Sequence, residues 1–171
     1  MSQWRVKRTL LLIGEGLHDE AFLTHIKHHC APRGSGLVVT VKNARGKGAL
    51  NVVNFAIRQR KNVDYDACAV LVDTDTDYNE NVEILAKNNR IRLIASDPCI
   101  EALLLRSIGK RLGKASQLKA QFAPYVANDP TSPQNYEENF GIEKLKEASK
   151  NEVAIRELLM VFGVKLGQKG K

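Results

Sequence analysis

Acidic residues follow three short apolar segments of this chain, a pattern by which proteins gather carboxylates around a divalent metal ion. The acidic sets are Glu15, Asp19 and Glu20 after segment 10–13, Asp73, Asp75 and Asp77 after 69–72, and Asp97 and Glu101 after 91–94. Short apolar runs bounded by polar residues predict buried strands, and the carboxyl ends of parallel strands open onto one edge of a sheet. The sequence therefore predicts one acidic site assembled from distant segments.

The segment Asp73-Thr74-Asp75 is the sharpest signal. In an extended backbone alternate residues project to one side, so both carboxylates can reach a common point, with Asp77 as a further candidate. Mg²⁺ or Mn²⁺ is the cation that suits an all-oxygen ligand set. A calcium EF-hand does not fit, because Tyr78 stands where that loop needs glycine. A solvated surface turn is the alternative interpretation.

The other acidic residues differ in how well capping explains them. Glu15 lies between two glycines at the end of a strand, so its side chain can reach across the sheet edge to a metal. Asp19 and Asp97 stand at predicted helix starts, where capping competes with metal binding. Glu101 lies in an apolar helix, where an unpaired carboxylate is costly. It is therefore a candidate metal ligand, orienting residue or base for an attacking water.

Basic residues outnumber acidic ones overall, giving a formal charge of +7 and a pI of about 9.4 over 171 residues. An acidic pocket in a basic body suits a polyanion that is held by its phosphates, although the charge can also serve solubility alone. Arg45 and Lys47 lie in a glycine-rich connection where backbone amides can approach a phosphate. An ordinary glycine turn is the alternative there.

Strand and helix patterns alternate through the first two thirds of the chain. Predicted strands cover 8–13, 37–41, 67–72 and 90–95, and predicted helices cover 19–29, 49–61, 80–87, a segment opened by Asp97-Pro98, 141–148 and 151–162. This order predicts an α/β fold with a mostly parallel sheet of about four strands and helices on both faces. Residues 1–110 form the predicted core, and 111–171 a helical extension or lid packed on the same domain.

The cysteines and most of the histidines are not arranged like a zinc site or a catalytic thiolate. Cys30, Cys68 and Cys99 are predicted to be buried thiols of a reducing compartment, and with no apparent secretion signal or membrane span the expected location is the cytoplasm. His25 and His29 have the i, i+4 spacing of a zinc-binding helix, but the HExxH pattern and a third ligand are missing, which favours a surface or helix-end role. His18 is a candidate substrate contact in the loop after Glu15.

Two of these segments resemble the signature motifs of the Toprim fold. They are the apolar strand followed by Glu15-Gly16-Leu17-His18-Asp19-Glu20 and the later strand followed by Asp73-Thr74-Asp75. The segment 96–101, which reads Ser-Asp-Pro-Cys-Ile-Glu, is similar to the SNPxFE block of the RloB-like branch. That branch is associated with restriction loci and phage defence, and the Toprim family also includes the overcoming-lysogenization-defect nucleases. The resemblance implies that Glu15 acts as acid or base, that Asp73 and Asp75 hold magnesium, and that the substrate is a nucleic-acid phosphodiester.

We therefore expect a magnesium-dependent endonuclease that acts on RNA or DNA, with Glu101 orienting or deprotonating the attacking water. The residues expected to contact the phosphate backbone are Arg45, Lys47, Arg106, Lys110, Arg111 and Lys114. A non-catalytic module that binds nucleic acid or a partner protein encoded nearby is one alternative. A phosphohydrolase of small nucleotides is the other.

Overall fold

A computed structural model of the protein, which describes residues 7–167, contains one sheet of four parallel strands. The strands are β1 (Arg8–Gly14), β2 (Leu37–Asn43), β3 (Ala67–Asp73) and β4 (Arg92–Ser96), in the spatial order β2-β1-β3-β4. All the strand pairs are parallel, which confirms the predicted α/β sheet. The chain leaves β1 toward one edge and then crosses to the other, so the crevice for a ligand is expected at the carboxyl ends of β1 and β3.

Helices connect the strands and continue after the sheet is complete. The α-helices are α1 (Leu17–Cys30), α2 (Gly48–Asn62), α3 (Glu80–Asn88), α4 (Ile100–Ser107), α5 (Leu118–Phe122), α6 (Glu137–Phe140), α7 (Ile142–Ala148) and α8 (Val153–Val161). Short 3-10 turns cover Ala115–Gln117, Ala123–Val126 and Pro133–Tyr136. The predicted C-terminal helices are confirmed as α7 and α8. No helix within residues 7–167 is long and apolar enough to cross a membrane.

Alternate residues of β1 serve opposite faces of the sheet. Leu10 and Leu12 pack into a hydrophobic cluster with α1, α4 and the C-terminal helices. Leu11 and Ile13 pack into a second cluster with α2 and α3. Because successive side chains of a strand point to opposite faces, a fully apolar strand needs helices on both sides, and the structure provides them.

An aromatic cluster joins residues 111–167 to the core. Phe22 of α1 lies 5.7 Å from Tyr136, and Phe122 lies 5.8 Å from Phe140, measured between ring centroids. All of these rings are fully buried. The Tyr136 hydroxyl donates a hydrogen bond to the carbonyl of Pro130 at 2.7 Å, which satisfies the one polar atom of the cluster. The C-terminal segment thus shares the hydrophobic core of the sheet and α1.

The start of α4 differs from the prediction. The helix begins at Ile100 rather than at Pro98, and its first amide donates to the carboxylate of Asp73 at 3.1 Å. Asp97 accepts a hydrogen bond from the hydroxyl of Thr74 at 2.6 Å and lies before the helix. The prediction that Asp97 caps this helix is therefore wrong, because a carboxylate from the neighbouring strand end occupies the capping position.

The opposite end of the sheet offers a test of pH-dependent stability. Asp66, just before β3, accepts hydrogen bonds at 2.7 Å and 2.9 Å from the amide and the hydroxyl of Thr9. These bonds lower the pKa of Asp66 from its ordinary value of 3.8. A lowered folded-state pKa contributes stability that is fully present above the ordinary value and is lost as pH falls through the folded value.

We expect Asp66→Asn to flatten the acid side of the stability curve. The unfolding free energy of the variant, from urea titrations at a series of acidic pH values, should fall less steeply below the ordinary pKa of aspartate than that of the wild type. Asp64→Asn, a substitution of a nearby exposed carboxylate, is the matched control. Equal slopes for Asp66→Asn and wild type would contradict the expectation.

Candidate metal and phosphate site

A cleft of about 670 Å³ lies at the carboxyl ends of β1 and β3. Its acidic lining residues are Glu15, Asp19, Asp73, Asp75 and Glu101, and His18, Gly46 and Lys119 also line it. The position is the one expected from the strand order. Acidic residues from three separate strand-to-helix connections therefore share one cavity.

Glu15 and Asp73 lie side by side across β1 and β3. The backbone amide of Asp73 donates to Oε2 of Glu15 at 3.4 Å. Parallel pairing sets this contact, since Gly14 of β1 pairs with Leu71 of β3 and the next residues along each strand reach the same edge. The structure thus places the side chain of Glu15 against the backbone of Asp73, and these are two of the three predicted metal ligands, with Asp75 as the third.

Two hydrogen bonds fix the carboxylate of Asp73. Its Oδ1 accepts from the hydroxyl of Ser96 at 2.9 Å and from the amide of Ile100 at 3.1 Å. Burial raises the pKa of Asp73 to about 7, and the charges of Glu15 and the other cleft carboxylates add to this effect, while the Ser96 bond opposes it. Ser96 was not predicted as a site residue. Only its register opposite Asp73 reveals its role.

Asp19 both caps a helix and faces the cleft. Its Oδ2 accepts from the amide of Gly16 at 3.0 Å, which agrees with the capping interpretation. Its Oδ1 is buried and has no hydrogen-bond partner among the described residues. Burial, together with the charge of Asp73, raises the pKa of Asp19 to about 8. A buried carboxylate oxygen without a partner is unfavourable and therefore favours a cation beside it.

Gly14 makes this approach of α1 to the sheet possible. A Cβ atom at position 14 would lie 2.4 Å from the Cβ of Asp19, closer than such atoms can pack. The glycine that precedes Glu15 was interpreted as a source of backbone flexibility. Its structural role is close packing, because Gly14 is itself buried against α1.

Glu101 is paired with a histidine. Its Oε1 lies 2.8 Å from Nδ1 of His18, and its side chain is almost fully buried. Burial opposes ionisation of Glu101, but hydrogen bonds led by that of His18 outweigh burial and lower its pKa. Glu101 is therefore an ionised partner for His18, whereas Asp19 and Asp73 resist ionisation.

The remaining acidic candidates are divided between the cleft and the loops. Asp75 is exposed and lines the cleft, and its amide donates to the carbonyl of Pro98 at 3.2 Å. Asp77 accepts from the amides of Ala49 and Leu50 at 2.6 Å and 3.3 Å, so it caps the start of α2. Asp97 accepts the hydrogen bond from the hydroxyl of Thr74 described above. The structure does not bring Asp77 or Asp97 into the cleft lining.

The acidic set suits a cation that needs few protein ligands. Among residues 7–167, the three-residue metal-ligand group whose atoms all lie within 4.8 Å of one another is elsewhere in the molecule, not in the cleft. Mg²⁺ commonly takes one or two carboxylates and fills its shell with water and phosphate oxygens, so one or two of Glu15, Asp73 and Asp19 would be enough to hold such an ion.

Positive charge borders the cleft on two sides. The amide of Gly46 donates to the carbonyl of Glu15 at 2.7 Å, which places the exposed Arg45 and Lys47 beside the acidic group. Lys119 of α5 lines the cleft from the other side and is exposed. Sequence reasoning missed Lys119, because nothing local distinguishes it from the other lysines of the extension.

The basic residues from Arg106 to Lys114 differ in whether their charges are available for phosphate contact. Arg106 forms a two-pronged ion pair with Glu152 at 3.0 Å and 3.1 Å and donates to the carbonyl of Asp97, so its guanidinium has internal partners. Lys110 lies 5.5 Å from the ring centre of Tyr125. Arg111 and Lys114 are exposed just before the segment 115–119 that walls the cleft. Arg111 and Lys114 thus remain candidates for phosphate contact, whereas Arg106 braces the loop.

Comparison of the chain with protein-family models, curated proteins and solved structures found no significant match. The likeness to Toprim and RloB-like proteins thus stays an expectation carried by short motifs. The functional argument depends on the geometry of the cleft.

The cleft geometry predicts that the Asp73 carboxylate lowers the stability of the metal-free protein and contributes to metal binding. Asp73→Asn keeps an oxygen for Ser96 and Ile100 and removes one buried charge. With a chelator present, and above the raised pKa of Asp73, we expect this variant to be more stable than wild type by about 0.5–2 kcal/mol. Urea unfolding would measure the difference.

Magnesium should reduce or reverse that difference in stability. Wild type gains about 2.7 kcal/mol when free Mg²⁺ is about 100-fold above its dissociation constant, and Asp73→Asn gains less because a ligand is lost. Asp64→Asn, far from the cleft, should respond to Mg²⁺ like wild type. An equal Mg²⁺ response in Asp73→Asn and wild type would exclude Asp73 as a ligand.

Proposed function

We propose that this protein is a Mg²⁺- or Mn²⁺-dependent nuclease that hydrolyses phosphodiester bonds of RNA or DNA, with phage defence as its setting. The observation that carries the proposal is the cleft that Glu15, Asp73 and Asp19 line together, with the Oδ1 of Asp19 buried and without a hydrogen-bond partner among the described residues. Buried carboxylates at the ligand edge of a parallel sheet favour a divalent cation, and the surrounding basic groups favour a polyanion. The motif resemblance to Toprim nucleases agrees with this reaction class.

A bound divalent cation would polarise a phosphoryl oxygen and lower the pKa of a coordinated water. Glu15 and Asp73 are the residues that would hold it, with Asp19 beside them and Asp75 at the exposed rim. Ser96 keeps the Asp73 carboxylate in one orientation by donating to Oδ1. This support matters because a ligand that rotates freely binds metal more weakly.

His18 and Glu101 supply a group for proton transfer. Because the Glu101 carboxylate is ionised, its Oε1 accepts a hydrogen bond from Nδ1–H of His18, which leaves Nε2 as the nitrogen that can exchange a proton with the substrate or water. His18 lines the cleft. We therefore assign His18 to the attacking water or the leaving oxygen. Glu101 would position His18, whereas the sequence alone is compatible with Glu101 as metal ligand, orienting residue or base.

Exposed cations near the cleft would hold the phosphates that flank the reacting bond. Lys119 lines the cleft, Arg45 and Lys47 flank the lining residue Gly46 in sequence, and Arg111 and Lys114 precede the lining segment that begins at Ala115. Contacts of this kind to the backbone are independent of base sequence. The arrangement also gives a role to the net positive charge of the chain.

A cleavage assay tests the proposal directly. Purified protein is incubated with tRNA, single-stranded DNA and plasmid in Mg²⁺, Mn²⁺ or chelator. We expect cleavage by the wild type that chelation abolishes and that Asp73→Asn lowers by at least about 100-fold, because a metal ligand is lost. Asp64→Asn is the matched control and should cleave like wild type.

Other outcomes would identify the alternatives. Hydrolysis of small nucleotides without cleavage of polymers would replace the proposal with a phosphohydrolase. Binding of nucleic acid or of a neighbouring protein, with no cleavage in any metal, would replace it with a binding module. Cleavage at the wild-type rate in Asp73→Asn would exclude Asp73 as a catalytic metal ligand and overturn the proposed site.

Lys119→Ala tests the phosphate contacts separately from catalysis. Measured in the Asp73→Asn background, where we expect binding without cleavage, the slope of log affinity against log salt should fall in magnitude by about 0.7 for single strands or 0.9 for duplex DNA. Lys87→Ala, an exposed lysine on α3, should leave the slope unchanged. Equal slopes for Lys119→Ala and Lys87→Ala would exclude Lys119 from the interface.

A further inference from the structure

A second group of metal-ligand side chains lies on the far end of α1, outside the cleft. His25 and His29 stand one helical turn apart, and Glu137 at the start of α6 lies against both. Oε2 of Glu137 is 2.5 Å from Nε2 of His29 and 3.7 Å from Nδ1 of His25. The three ligand atoms all lie within 4.8 Å of one another, the set of this kind found within residues 7–167.

Hydrogen bonding already orients His25 as a metal ligand. Its Nε2 lies 2.8 Å from the backbone carbonyl of Phe140. A carbonyl oxygen can only accept, so Nε2 carries the hydrogen and the lone pair of the neutral ring is on Nδ1, the nitrogen that faces Glu137. A histidine whose second nitrogen donates to a backbone carbonyl is the usual arrangement in metal sites.

Burial makes one side of the group rigid and leaves the other open. The His25 side chain is only 3% exposed and its ring stacks on Tyr136, with 6.0 Å between ring centres. His29 is one third exposed and Glu137 more than half exposed. The rigid side presents a fixed nitrogen, and the open side leaves room for a small shift of Glu137 and for a water as the fourth ligand.

We propose that His25 Nδ1, His29 Nε2 and Glu137 form a Zn²⁺ site that ties the C-terminal extension to α1. Two imidazole nitrogens and one carboxylate suit Zn²⁺ better than Mg²⁺, which prefers oxygen. His29 and Glu137 are 108 residues apart in sequence, so the complete site exists only in the folded chain. Bound metal therefore stabilises the docked extension. This site is independent of the proposed nuclease cleft.

Titration of the metal-free, full-length protein with Co²⁺ and Zn²⁺ tests the site. A large excess of Mg²⁺ is kept present, because Mg²⁺ occupies oxygen-ligand sites and leaves imidazoles free. We expect one Co²⁺ per chain with the visible absorption of a low-coordinate N/O site, displacement of Co²⁺ by Zn²⁺, and a rise in melting temperature.

Variants locate the bound ion. His29→Ala and Glu137→Gln change side chains that are one third and more than half exposed, so the fold should persist by circular dichroism, and each should weaken Zn²⁺ binding by at least about tenfold. His28→Ala, an exposed histidine outside the group, is the matched control and should bind like wild type. Equal affinity in His29→Ala and wild type, absence of binding, or thiolate-to-cobalt charge transfer from the cysteines would overturn the proposal.

Discussion

The carboxylate of Asp73, at the end of a buried strand, is the constraint on which the rest of the site depends. Its Oδ1 accepts hydrogen bonds from the hydroxyl of Ser96 and from the first amide of α4. One side chain therefore joins β3, β4 and the helix that carries Glu101. The loop 96–98 in turn accepts the amides of Thr74 and Asp75. Removing this anchor would release both the acidic loop and the helix start that forms the wall of the cleft.

The cleft concentrates negative charge in a way that folding alone does not favour. Burial raises the pKa values of Asp19 and Asp73, whereas the bond from His18 keeps Glu101 ionised. Neighbouring carboxylates whose pKa values shift in opposite directions are typical of sites where one group binds a cation and another transfers a proton. The Oδ1 of Asp19 is buried without a hydrogen-bond partner within residues 7–167, which is unfavourable for a carboxylate.

The C-terminal extension contributes side chains that local sequence does not mark. The segment around 109–133 is rich in Lys, Gln, Ser and Pro, yet Leu118, Phe122 and Val126 bury one apolar side and hold α5 at the cleft. This docking brings Lys119 into the lining of the cleft and places Glu137 against the histidines of α1. In both cases the residues brought together are about a hundred positions apart in sequence. Local periodicity carries no information about such pairs.

The sequence by itself determined the parallel sheet, the helices that cover it and the convergence of Glu15 and Asp73, because buried strands and their turns are encoded by local patterns. Tertiary structure decided which of the other acids reach the cleft. Asp77 and Asp97 look like ligands in sequence, but nearby amide and hydroxyl donors hold them in the loops. Whether a carboxylate caps a backbone or faces a ligand depends on which donors lie within hydrogen-bonding distance, and only the folded chain sets those distances.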